Sequence, residues 1–262
     1  LASGCGGFPS IEWLKDPIRR IGYLSPIAAT APNIAIFLAA FRQGMGELRY
    51  AEGRNYSLEK RFAEGNPARL PDLAAELIQL PVDVLLAGGT PAVLAAKQVS
   101  QTIPIVIPLA SDPVGSGIAA SLSHPGGNVT GPGTLARELS GKRLQLLKEA
   151  IPAVSRVAVL WNAANPGIAL TVPETEAAGP QLGMQLHVLG VKRLDEVDGA
   201  LEAAAGEGAG ALLVIEDQWL SSHQALILDL AAKRRLPVMS QYREFTEAGG
   251  LLAYGASNDE LL

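Results

Sequence analysis

Short apolar runs alternate with longer stretches whose apolar positions recur every three to four residues. The first pattern predicts buried strands and the second amphipathic helices. Strands are expected near Ile21–Leu24, Ser57–Phe62, Val82–Ala87, Ile103–Leu109 and Asn128–Thr130. Helices are expected between them, near Asn33–Leu48, Ala68–Gln79, Pro91–Ser100 and Val114–Ser123. The pattern then restarts. Ser140–Ala150 reads as a helix, Val157–Trp161 as a strand, and the chain from there to Leu182 as a helix. Gln185–Leu189, Ala211–Ile215, Pro237–Ser240 and Leu251–Tyr254 read as strands. Asp195–Ala205, Trp219–Arg234 and a turn at Arg243–Ala248 read as helical.

Strand–helix alternation with short links predicts an α/β fold with doubly wound, Rossmann-like parallel sheets. Matching elements lie about 130–136 residues apart, a period of a whole domain. Both fourth strands open with a similar motif, Ile103-Pro104-Ile105-Val106 and Leu236-Pro237-Val238-Met239. Two lobes with a hinge near Asn128–Leu139 and a cleft between them are therefore expected. Residues 18–130 plus 252–262 are assigned to lobe 1, residues 131–251 to lobe 2, and residues 1–17 to a leader or tether.

Composition narrows this picture. The chain of 262 residues is 48% hydrophobic but only 5% aromatic, so aliphatic side chains build the core, as in strands covered on both faces. Net charge is −5, with no basic stripe, which argues against nucleic acid. No run of 18 apolar residues occurs. Cys5 is alone, so no disulfide forms within the chain. Leu1-Ala2-Ser3-Gly4-Cys5 resembles the end of a bacterial lipoprotein signal, though its Leu lies four residues before Cys5 and not three. A leader with a chance cysteine is the alternative.

In open parallel sheets, ligands bind beyond the carboxyl ends of the strands. That rule selects Tyr23, Leu24, Ser25, Gly88, Gly89, Thr90, Ala110, Ser111 and Asp112 in the first half. In the second it selects Trp161, Asn162, Asn165, Glu216, Asp217, Ser240, Gln241 and Tyr242. Gly88-Gly89-Thr90-Pro91 joins a strand to a helix whose N-terminus suits an anion, or serves only as a cap. Asp112 either caps the next helix or accepts from a ligand ammonium or hydroxyl. Asn162 and Asn165 offer donors and acceptors to a polar ligand, or shape a turn. Trp161 stacks on ligand or packs the hinge.

Catalytic signatures fail on spacing. Gly115-Ser116-Gly117-Ile118-Ala119-Ala120 carries the letters of a dinucleotide site, but six residues beyond the strand end. Seven residues separate Gly133 from Gly141-Lys142, too many for a phosphate loop. His124, His187 and His223 fit no metal spacing. No catalytic residue, metal or cofactor is expected, and the chain is not expected to be an enzyme.

The order of these segments resembles one family. Its marks are Arg20-Ile21-Gly22-Tyr23-Leu24-Ser25, Leu70-Pro71-Asp72-Leu73-Ala74-Ala75-Glu76-Leu77, Gly89-Thr90-Pro91-Ala92 and Asp112-Pro113-Val114-Gly115-Ser116-Gly117. His124-Pro125-Gly126-Gly127-Asn128-Val129-Thr130-Gly131, Val157-Ala158-Val159-Leu160-Trp161-Asn162 and Tyr242-Arg243-Glu244-Phe245 continue it. The chain resembles bacterial ABC-transporter substrate-binding proteins of the type that includes tryptophan and aromatic amino-acid binders. The resemblance implies a type I periplasmic-binding-protein architecture that closes on ligand like a hinged trap. It implies a monomer outside the cytoplasmic membrane, tethered through Cys5 if that residue is lipidated, with permease subunits in the membrane as partners. The family's cleft positions fall on Ser25, Thr90, Asp112, Asn162, Asp217 and Tyr242; Pro91 and Asn165 join them as strand-end neighbours. The expected ligand is an amino acid or a related aromatic or small organic acid. A sensor presenting its closed state to a receptor, and an α/β enzyme acting on a small acid, are the alternatives.

Two departures from the resemblance matter. Relatives carry Gly before the tyrosine where this chain has Arg49-Tyr50, and Gly is the usual left-handed residue at a helix end. Relatives also run on past Leu262 with a helix, a strand and a last helix, so lobe 1 is expected to lack part of its cover.

Overall fold

The computed structural model describes residues 18–108, 110–134, 139–215 and 217–255. The leader with Cys5, Glu216, Leu109 and the final residues lie outside the described residues, as does the side chain of Ser111.

Among the described residues there are twelve strands and ten α-helices, and strands and helices alternate through most of each half. The first sheet holds β1 (Arg19–Ser25), β2 (Tyr56–Phe62), β3 (Val84–Ala87), β4 (Ile105–Val106) and β6 (Val129–Thr130), in the order β2-β1-β3-β4-β6. The second holds β8 (Arg156–Asn162), β9 (Gln185–Val191), β10 (Ala211–Ile215), β11 (Val238–Ser240) and β12 (Leu252–Ala253), in the order β9-β8-β10-β11-β12. All these pairings are parallel. The two orders are the same once each sheet is renumbered from its own first strand, so the repeat in the sequence is a repeat of topology. β5 (Ala110–Ser111) and β7 (Gly133–Thr134) form a small separate pair.

Helices cover both faces of each sheet. α1 (Pro32–Glu47) lies on one face of the first sheet; α2 (Leu70–Gln79) and α3 (Gly89–Val99) cover the other. In the second half α4 (Ser140–Ala150), α5 (Pro166–Ala169) and α6 (Thr171–Gln181) line one face. α7 (Asp195–Gly206), α8 (Gln218–Ser222) and α9 (Gln224–Lys233) line the other, and α10 (Arg243–Glu247) precedes β12. The core on the α1 face is continuous with the core under α8 and α9: Ile34 and Leu38 belong to one apolar cluster with Trp219 and Leu220. Apolar contact thus spans the two lobes. Such burial stabilises by roughly 25 cal/mol per Å² of apolar surface removed from water.

Several expected elements changed. No helix spans Val114–Ser123, which forms turns instead. Gly117 takes φ +72, and serines with glycines give little helix propensity, so the turn that starts at Pro113 stops at Ile118. The Lys97 ammonium binds the Gly117 and Ile118 carbonyls that a helix would have used. β4 is shorter than expected because Pro108 has no N–H to offer a ladder. The Trp219–Arg234 helix breaks at His223, and the helix after Asn162 breaks at Leu170. β12 pairs with β11, which carries the second sheet two residues past the boundary expected at 251.

Arg49 ends α1 with φ 66, the left-handed conformation that glycine adopts most readily. Its amide bonds to the Gly46 carbonyl and that of Tyr50 to Met45, which seals the helix end. A side chain there costs about 1–2 kcal/mol, of which glycine's extra unfolded freedom returns about 0.5–1. Arg49→Gly is therefore expected to stabilise the fold by up to about 1 kcal/mol. Urea denaturation checks this, and a loss of stability would refute the strain.

Candidate functional site

Each sheet has a switch point where strand order reverses, between β1 and β3 and between β8 and β10, and ligands favour such points. The strands' carboxyl ends from the two lobes meet around one cavity. Its volume is about 50 Å³.

The second lobe builds its side around Asp217, which is 9% exposed. This residue leaves β10 extended and caps α8, its Oδ1 accepting from the Leu220 amide at 2.9 Å. Oδ2 accepts from Asn162 Nδ2 at 2.5 Å and Asn165 Nδ2 at 3.0 Å. The two asparagines are oriented in turn, since Asn162 Oδ1 accepts from the Ala164 amide at 3.0 Å and Asn165 Oδ1 from Gly167 at 3.1 Å. Burial pushes the Asp217 carboxyl above the usual aspartate range, and the hydrogen bonds it receives oppose that shift only in part.

The first lobe contributes the start of α3. Gly88 approaches the other lobe closely: a Cβ there would lie 3.3 Å from Gln218 Oε1. Gly89 takes φ +78, which glycine adopts without strain. No side chain caps this helix, and its first residues, Gly89, Thr90 and Pro91, line the cavity. Thr90 packs on Gly167 of α5 so tightly that a Cβ on Gly167 would sit 2.5 Å from Thr90 Oγ1. Asn33 Nδ2 donates to the Gln218 carbonyl at 3.3 Å, a second bridge between lobes.

Among the expected site residues, Thr90, Pro91, Asn162, Asn165, Asp217 and Tyr242 line this cavity. Ser25 and Asp112 do not. Ser25 is fully buried, its hydroxyl oxygen accepting from the Ile27 amide at 3.4 Å. Asp112 turns back on its own segment at φ 41, with Oδ1 accepting from the Gly115 amide at 2.9 Å. Trp161 packs its indole over Gly190, where a Cβ would lie 3.0 Å from Nε1. His187 faces Glu207 at 2.6 Å on the outer strand, away from His124 and His223. Among the described residues no group of His, Cys, Asp and Glu is placed to hold a metal ion. No helix there is long and apolar enough to cross a membrane.

The sequence reading missed Pro26, Gly65, Pro67, Lys192, Gln218 and Trp219, which also line the cavity. The strand-end rule was informative for them too. Gly65 follows β2 and Lys192 follows β9, the two strands to which it was not applied. Trp219 divides the cavity from a wider hollow of about 460 Å³ that also touches Lys192.

Comparison with known proteins fits this geometry. A family model for "ABC transporter substrate binding protein" matches residues 31–261. A tyrosine-binding protein of Clostridioides difficile is 23% identical over 88% of this chain. The chain spans 66% of that relative's length. The fold is shared with the ABC domain of a Streptococcus pneumonia protein in complex with L-Trp, at TM-score 0.84 and 19% identity, covering 94% of this chain and 81% of that one. It is shared less closely with a ligand-free, open substrate-binding protein of Clostridium difficile, at TM-score 0.60 and 22% identity, covering 93% and 81%.

Asp217→Asn tests the carboxylate's role in the second lobe. An amide nitrogen in place of Oδ2 would face two donors whose own oxygens are already engaged. A loss of about 1–3 kcal/mol in urea denaturation is expected at mildly acid pH. Wild-type stability contains an opposing contribution from the raised pKa. Above about pH 4 the unfolded chain releases the proton that folded Asp217 keeps, so stability falls as pH rises through the folded value. The variant lacks this slope, and the gap between the two proteins should narrow toward neutral pH. A gap that widens would contradict the raised carboxyl.

Proposed function

This chain belongs to the ABC transporter substrate-binding proteins, and from that premise we propose that its interlobe cavity takes a free amino acid with an apolar or aromatic side chain. The observation that carries the reading is a cavity walled by both lobes, with polar groups at strand ends and an apolar side formed by Trp219, Pro26, Pro67 and Pro91. The uncapped start of α3 and the Lys192 ammonium suit a carboxylate. Trp219 and the prolines suit the side chain. The relatives named for tyrosine and for L-Trp support the same ligand class.

On this reading ligand enters between open lobes and contacts on both sides favour closure. It drives closure only by its differential affinity for the closed arrangement. The closed lobes then present one surface to membrane permease subunits, outside the cytoplasmic membrane. Binding and release complete the cycle, as membership of a family of substrate-binding proteins implies.

Thermal shift and calorimetry with L-tryptophan, L-tyrosine, L-leucine and benzoate test the proposal. A bound ligand at about 100 times its Kd should raise Tm by roughly 5–10 °C. No shift with any of them would overturn it. Gly167→Ala should hold the lobes apart, because the new methyl meets Thr90. Affinity should fall about tenfold, the equivalent of about 1.4 kcal/mol, and small-angle scattering should show a larger radius of gyration. Unchanged affinity would mean that this contact does not belong to the bound state.

A further inference from the structure

Which group receives the ligand's amino end is decided by hydrogen-bond capacity. Asp217 has the charge for it, but its oxygens are engaged within the second lobe. Oδ2 already accepts two carboxamide protons and Oδ1 holds the start of α8. A carboxylate oxygen offers about two good acceptor directions, so Oδ2 has none left for an ammonium.

The next residue is in the opposite state. Gln218 opens α8 and lines the cavity, and its side-chain Oε1 is buried with no hydrogen-bond partner. A buried acceptor left unpaired costs about 1–3 kcal/mol, so such a group marks a missing donor. Its position is fixed from both sides. The Asp217 cap holds the backbone at this point, and Asn33 of the first lobe grips the Gln218 carbonyl. Asn33 Oδ1 is also without a partner, but Asn33 is not part of the cavity wall.

We propose that Gln218 is the specificity-determining residue that receives the ligand's amino group at Oε1, with Asp217 positioning it instead of binding ligand. This rests on the reading that the cavity takes an amino acid. The placement suits an α-amino acid, whose ammonium and carboxylate share one carbon and need neighbouring receptors. Oε1 lies 3.3 Å and 3.6 Å from where Cβ atoms of Gly88 and Gly89 would stand, beside the helix start that suits the carboxylate. Lys192, the other charged group of the wall, repels an ammonium and attracts a carboxylate, which sorts the two ends.

Calorimetry with L-tryptophan and 3-indolepropionic acid, which lacks only the amino group, tests this. Wild type should prefer L-tryptophan by about ten- to hundredfold. Gln218→Ala should weaken L-tryptophan by that factor, leave 3-indolepropionic acid unchanged, and so abolish the preference. Gln218→Met, which keeps the volume, should behave alike, and thermal melts confirm that both variants fold. Gln218→Glu should bind L-tryptophan at least as well as wild type and reject the deaminated acid. A preference that survives Gln218→Ala overturns the assignment. So does a wild type that binds both probes equally, or a Gln218→Glu protein that loses L-tryptophan, since the carboxamide then donates. If wild type binds neither probe, nor L-tyrosine, nor L-leucine, the amino-acid reading itself has failed.

Discussion

The buried carboxylate of Asp217 is the constraint on which the second lobe's ligand-facing side depends. One oxygen gathers Asn162 and Asn165 from the segment after β8, and the other starts α8 after β10. Two strand ends are thereby locked at the switch point of the sheet. A neutral side chain of the same shape cannot accept from both asparagines and from the helix start. The charge is kept out of water by its neighbours, and burial raises its pKa. The cost of burying it is offset only in part by three donors held in place within the second lobe.

From that anchor the rest of the cavity follows. α8 carries Gln218 and Trp219 across to the first lobe, where glycine at positions 65, 88 and 89 leaves room for them. Asn33 reaches Gln218 from α1, and Thr90 meets Gly167 at the other side. These contacts are polar, or made by small residues at close approach. The apolar cluster through Ile34, Leu38, Trp219 and Leu220 adds a non-directional attraction between lobes. For the ligand-driven closure proposed above this mixture matters, because a contact made wholly of apolar surface would hold the lobes shut without ligand.

Much of the fold was legible. Strand positions came within a few residues, because continuous aliphatic runs have few alternatives in a parallel sheet. The errors fell where turn chemistry and tertiary bonds compete with propensity. Pro108 cut a strand short, Gly117 and its neighbours ended a helix after one turn, and His223 split another. The strand-end rule selected Thr90, Asn162, Asn165 and Asp217, which line the cavity, because strand carboxyl ends converge there. It also selected Ser25, which the core absorbed, and Asp112, which bonds to its own turn.

By itself the sequence determined two repeated α/β lobes, the polar character of their facing edges and a family resemblance, because periodicity records which side of each element is buried. Only the tertiary structure decided which of those polar groups are spent. Asp217 and Gln218 are adjacent in the chain, yet one has Oδ2 filled by two donors and Oδ1 engaged at a helix start, while the other has an oxygen buried and empty. That difference depends on where two lobes and three loops come to rest, and no pattern along a single strand or helix carries it.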